Sequence, residues 1–162
     1  FTISALYHRV DWSPVALERM RRLDHGCIYV LIAGSYTPFC MLALEERLAR
    51  QLLAVGWIGA AIGMAIAVFW ENKPRWVVAV GYVALGWLVA PFSPQVISAI
   101  GSSRALVMLA GGLLYSVGAV VYVFKRPDPS PSVFGYHEVF HALVVVASVC
   151  TFAVVSSLVL GA

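Results

Sequence analysis

Five long apolar stretches, at residues 25–44, 51–70, 76–92, 105–124 and 136–160, follow one another with only short breaks. About 20 apolar residues, rising 1.5 Å each in a helix, cross the roughly 30 Å of hydrocarbon in a bilayer. Four of the stretches meet that length and the third nearly does. Composition agrees: 61% of the chain is hydrophobic and 12% charged, whereas soluble domains average about 45–50% and about 25%. The fold this predicts is all-α and integral to a membrane. Neither a soluble domain nor a long linker interrupts the series, so residues 1–162 form a single transmembrane domain.

Residues 1–8 read as the end of a further helix whose beginning is missing, and no charged segment, short apolar core and cleavage site mark a signal peptide. On this reading the chain is truncated at its N-terminus. The next segment, 13–23, contains Ser13 as a cap, Pro14 in the first turn and Arg19, Arg21 and Arg22. It predicts a short amphipathic helix on the membrane surface with its arginines toward lipid phosphates. Pro38 predicts a kink in the first full span, with Ser35, Tyr36 and Thr37 beside it to satisfy freed carbonyls. Pro91-Phe92-Ser93-Pro94 predicts a stop to the third span, with 95–103 an interfacial turn. Gly59-x-x-x-Gly63 permits close backbone approach and is read as packing within one bundle. Cys27, Cys40 and Cys150 lack metal or disulfide spacing and read as small buried residues.

Charge sets the orientation. If the opening helix ends on one side, loops alternate, and that side carries Arg9, Arg19, Arg21, Arg22, Lys73, Arg75, Lys125 and Arg126. The other side carries Arg47, Arg50 and Arg104. The positive-inside rule makes the first side cytoplasmic and places the C-terminus outside the cell membrane. The net charge of +3 is spread over short loops without an aromatic-laced basic stripe, so nucleic acid is not an expected partner.

Parity brings the chemistry together. His8, Asp24, His137 and His141 all fall at the cytoplasmic face. His137 and His141 are four residues apart, hence on one helix face, a spacing that suits a zinc ligand pair. Ser4 and His8 share a face in the same way. Three histidines plus water form an open, catalytic type of zinc shell. Asp24 reads both as a helix N-cap and as a partner of that site, while His25 points about 100° away and is left out of the shell. His137-Glu138-Val139-Phe140-His141 also spells H-E-x-x-H, with Glu138 as the base of a metalloprotease. That reading needs a downstream ligand, and residues 142–162 contain no Asp, Glu or His.

Three ordered strings carry a resemblance: Ser4-x-x-x-His8, then Leu23-Asp24-His25-x-x-Ile28-Tyr29 leading into Gly34-Ser35-Tyr36-Thr37-Pro38-Phe39, then His137-x-x-x-His141. Together they resemble the bacterial hemolysin III family, which belongs with the progestin-and-adipoQ receptors and is similar to the alkaline ceramidases. The resemblance implies a seven-helix bundle, here lacking its first helix and most of its second, with the N-terminus inside. It also implies zinc near the cytoplasmic face, with His8, His137 and His141 as ligands and Asp24 and Ser4 supporting a bound water.

Three functions compete. The first is a zinc-dependent hydrolase of lipid amides or esters, with Asp24 taking the proton of the water and Ser4 holding Asp24 or the oxyanion. Membrane lipids are then both environment and substrate. The second, suggested by the family's name, is a membrane-permeabilising, pore-forming cytolysin, although no charged residues recur down a span to line an aqueous path. The third is a receptor or sensor of membrane lipids with a structural zinc.

Overall fold

A computed structural model describes residues 1–161; residue 162, the last of the domain expected from the sequence, lies outside the described residues. The elements are α1 (Thr2–Arg9), α2 (Pro14–Ala43), α3 (Glu46–Phe69), α4 (Arg75–Gly86), a 3₁₀ turn over Ala90–Phe92, α5 (Ser93–Ile100), α6 (Ser102–Phe124) and α7 (Tyr136–Leu160). Five segments are long and apolar enough to span a membrane: α2, α3, the α4–α5 unit, α6 and α7. The protein is an all-α membrane bundle. Each span leaves most of its residues outside the interior, with large apolar side chains such as Ile58, Ile62, Val120 and Phe152 exposed. That surface is suited to lipid rather than water.

The segment 13–23 is not a separate surface helix. It is the first part of α2, a continuous 30-residue helix. Ser13 caps it as expected, its hydroxyl accepting from the Ala16 N–H at 3.4 Å. No proline stands between Pro14 and Pro38, so no residue lacking an N–H stops the helix from running out of the bilayer. Asp24 is therefore mid-helix and not an N-cap. The arginines also differ from expectation. Arg21 and Arg22 both bind Glu18, at 2.8 and 2.9 Å, and Arg22 reaches Glu71 at 3.1 Å.

The third span is broken rather than closed. Pro91 and Pro94 lack N–H donors and clash with the carbonyls four residues back, so an α-helix cannot pass through 87–92. It ends at Gly86, and α5 restarts with Pro94 in its first turn. The proline string thus opens a helix, and 95–100 belongs to the span. Within hydrocarbon, such a break needs internal partners. They are present: Trp87 N–H donates to Val83 O at 2.9 Å, Ala90 N–H to Trp87 O at 3.0 Å, and the Tyr36 hydroxyl to the Gly86 carbonyl. Pro38, by contrast, stays inside α2, where the Thr37 hydroxyl bonds Ala33 O at 3.1 Å and Ser35 bonds Leu31 O at 2.8 Å.

Packing is tightest where glycine meets aromatic. Tyr29 on α2 is buried between α3 and α4, its hydroxyl donating to Val78 O at 3.1 Å. A Cβ at Gly63 would overlap its ring, and one at Gly81 its hydroxyl. The glycine spacing on α3 therefore serves a neighbour within the bundle. On α6, Gly111 brings α7 close: a Cβ there would lie 3.2 Å from Cys150 Cβ and 3.3 Å from Ala147 O. Exposed Phe69, Trp70, Trp76 and Phe124 ring one end of the bundle, as aromatic side chains do at a membrane–water interface. At that same end α1 finishes and α7 begins.

Candidate metal centre

The site is assembled from both ends of the chain. His8 lies in the last turn of α1, and His137 and His141 occupy the first two turns of α7. Separated by 129 residues, His8 and His137 approach to 3.3 Å between their Nε2 atoms. His137 and His141 approach to 3.1 Å, again Nε2 to Nε2. All three candidate ligand atoms lie within 4.8 Å of one another. α1 packs on α2, and α2 on α7, so the longest helix carries the two ligand-bearing elements together.

The donor set fits zinc. Nitrogens about 2.0–2.1 Å from a tetrahedral zinc are separated by about 3.3–3.4 Å, close to the two separations seen. The alternative is a hydrogen-bonded histidine chain, and the atoms disfavour it. The His137 Nε2 faces both other Nε2 atoms, yet it carries either one proton or one in-plane lone pair. It cannot form two well-aligned hydrogen bonds at once. Three imidazole nitrogens within 4.8 Å of one another could serve as a ligand shell, and three protein ligands leave a position for water or substrate. His8 is exposed and the α7 pair half-buried, so the cluster is most open on its α1 side.

The other residues singled out in the sequence divide. Asp24 is buried, at 6% exposure the only charged side chain in the interior among the described residues. Ser4 is half-buried on α1. Neither joins the ligand cluster, which among the described residues consists of the three histidines. His25 is also outside it, its ring set edge-on to Tyr122 with centroids 5.8 Å apart. Glu138 is exposed and accepts from the Gly135 N–H at 2.9 Å. Its carboxylate is turned back onto the start of its own helix, a capping position, which weakens the H-E-x-x-H reading.

Sequence reasoning missed a second carboxylate at this helix start. Asp128 Oδ1 accepts from the Tyr136 N–H at 2.9 Å. Its signal was present in Asp128-Pro129, an acidic residue among turn formers just before an apolar run.

A cavity of about 590 Å³ lies between the helices. Phe140 and Val144, on the same helix as the histidine pair, line one part, and Ser93, Ile97 and Leu106 another. No charged residue lines it.

Comparison with known proteins gives a consistent picture. The family described as "Haemolysin-III related" matches residues 1–152. Hemolysin-3 of Bacillus cereus is 34% identical over 127 residues, covering 78% of this chain and 57% of that protein. The Hemolysin-3 homolog of Bacillus subtilis (strain 168) is 34% identical over 150 residues, covering 92% of this chain and 67% of the relative. The chain thus spans little more than half of the first relative and about two thirds of the second. No solved structure gives a significant match.

Proposed function

The chain belongs to the haemolysin-III related family of multi-pass membrane proteins, and from this premise we propose that it is a zinc-dependent hydrolase of lipid amides or esters. The observation that carries the reading is the convergence of three imidazole nitrogens, 3.1 and 3.3 Å apart across the central one, at the aromatic end of an apolar bundle. Zinc held there supplies Lewis acidity and a water acidic enough to react near neutral pH.

The protein's own residues supply the rest. His8, His137 and His141 hold the metal. Asp24, a carboxylate kept in the interior despite the cost of burying a charge, would take the proton of the attacking water and pass it to the departing amine or alcohol. Ser4, one turn before His8 on α1, orients that carboxylate or donates to the developing oxyanion. Phe140, whose ring centroid lies 5.3 Å from that of His141, separates the polar site from the apolar cavity. The cavity of about 590 Å³ is within the size range of ligand pockets, and its apolar lining suits an acyl chain. The scissile group would then lie at headgroup depth, with the chain among the helices.

Purified protein should contain about one zinc per chain. It should release fatty acid from a lipid amide or ester in mixed micelles, lose that activity to a chelator and regain it with zinc. A zinc-loaded protein inert toward both lipid classes would defeat the hydrolase reading and favour a structural zinc in a lipid sensor. The name of the relatives favours a second reading, membrane permeabilisation. Leakage of dye from vesicles that survives zinc removal would support it, although the uncharged cavity lining offers ions no path.

Orientation has its own test. The loops at 70–74 and 125–135 meet at the histidine end, where Arg75 Nη1 lies 3.5 Å from the Tyr136 hydroxyl. With eight of the 11 basic residues at that end, it should be cytoplasmic. Single cysteines in 125–135 should react with an impermeant thiol reagent only after the membrane is opened. Labelling in intact cells would reverse the orientation.

A further inference from the structure

His137 is the vertex of the cluster, since its Nε2 faces both other imidazoles. It also lies at a helix end, where the backbone needs outside partners. α7 begins at Tyr136, so His137 hangs from the first turn, whose N–H groups have no carbonyl one turn back to bind. Such turns fray unless something outside the helix holds them.

Two carboxylates hold this one. Asp128 Oδ1 accepts from the Tyr136 N–H at 2.9 Å, and Glu138 Oε2 from the Gly135 N–H at 2.9 Å. Both negative charges sit at the positive end of the helix dipole. The loop that brings Asp128 back is closed on itself, Ser130 N–H donating to Phe134 O at 3.1 Å and Phe134 N–H to Ser130 O at 2.7 Å. Gly135 makes room for the pair. A Cβ there would lie 2.7 Å from Asp128 Oδ1 and 3.3 Å from Glu138 Oε2. Its φ of −89° is open to any residue, so a side chain here would contest space rather than backbone freedom and would displace the Asp128 carboxylate.

We infer that Asp128, seated against Gly135 and assisted by Glu138, is a positioning residue that fixes the first turn of α7 and so holds His137 at the vertex of the metal centre. The inference rests on the zinc reading above. Asp128 touches neither metal nor substrate; it acts through the backbone that presents His137.

The test is zinc affinity, measured by chelator competition on purified protein, beside the melting temperature of the metal-free form. Asp128→Ala should weaken zinc binding about 10-fold or more, the scale on which outer partners of metal ligands act. Asp128→Asn keeps an oxygen acceptor in place and should return affinity to within a few-fold of wild type. Gly135→Ala, which pushes Asp128 off its seat, should weaken binding like Asp128→Ala. A lowered metal-free melting temperature with unchanged zinc affinity would show a merely structural cap and overturn the inference, leaving the metal site standing. Asp128→Asn binding as poorly as Asp128→Ala would also overturn it, because charge and not position would then be the cause. Absence of zinc from the wild-type protein would overturn this inference and the metal reading together.

Discussion

Replacing His8 by alanine should strip zinc from the protein about as completely as replacing His137. His8 belongs to a different helix from the other two ligands and is separated from them by almost the whole chain, yet its Nε2 lies 3.3 Å from that of His137. Without it, two imidazoles remain and α1 no longer contributes to the site. The loss should exceed the roughly 10–100-fold in affinity typical of removing an outer-shell partner. Glu138→Gln should behave differently. Glutamine keeps an oxygen to accept from Gly135 N–H, so metal and activity should both be largely retained. Asp24→Asn should keep most of the metal and lose activity by about 10²–10⁴-fold, the range for removing a general base. Metal analysis and lipid turnover on the same preparations decide the matter. Full zinc in His8→Ala together with a metal-loaded but dead Glu138→Gln would overturn the three-histidine assignment in favour of the H-E-x-x-H protease.

The second large effect concerns the fold. Gly63→Leu and Gly81→Leu should each destabilise the bundle severely, because Tyr29 occupies the space a Cβ would need on both sides, with its ring at Gly63 and its hydroxyl at Gly81. Overpacking in well-packed interiors costs about 1–3 kcal/mol, and the ring here has little freedom to retreat. It is buried at 3% exposure, lies against the Tyr82 ring with centroids 4.6 Å apart, and is tied through its hydroxyl to Val78 O. Moving it forfeits that bond as well. Tyr29→Phe, which removes only the hydroxyl, should cost about 0.5–1.5 kcal/mol. The decisive comparison is Gly63→Leu in a Tyr29→Ala background. If ring and side chain compete for one space, the double variant should be more stable than the sum of the single effects predicts. Simple additivity in thermal or denaturant unfolding in detergent would show that Tyr29 is not what Gly63 accommodates.

Much of this protein was legible in one dimension because lipid imposes a one-dimensional rule. A helix must stay apolar long enough to cross hydrocarbon, so the number and order of spans follow from hydropathy, and α7 begins and ends where its apolar run does. Loop parity then sorts residues by membrane face, which is why His8 could be paired with His137 and His141 before any distance was known. Four-residue spacing on a helix supplied the rest of the pair.

What hydropathy could not decide was everything set by contacts between helices. Asp24 looked like a cap because it begins an apolar run. The helix in fact starts at Pro14, since arginines and Glu18 can extend a helix into water as readily as end it, and only packing shows that Asp24 is buried. Pro91 and Pro94 mark a break, but whether a chain stops there or continues depends on neighbours able to satisfy the interrupted backbone. Tyr36 on α2 is one of them. The glycines of α3 read as a close-approach motif, while the groups that approach are side chains, the Tyr29 ring from α2 at Gly63 and Leu85 from α4 at Gly59, and not a second helix backbone. Asp128 carried only the general signal of an acidic turn residue ahead of a helix, and folding set its carboxylate on the first turn of α7. Periodicity and membrane face are local properties read along the chain, and they limit which residues can meet. Which of them do meet is set by packing, because the 3.1 and 3.3 Å separations of the histidine nitrogens depend on how α1, α2 and α7 fit together.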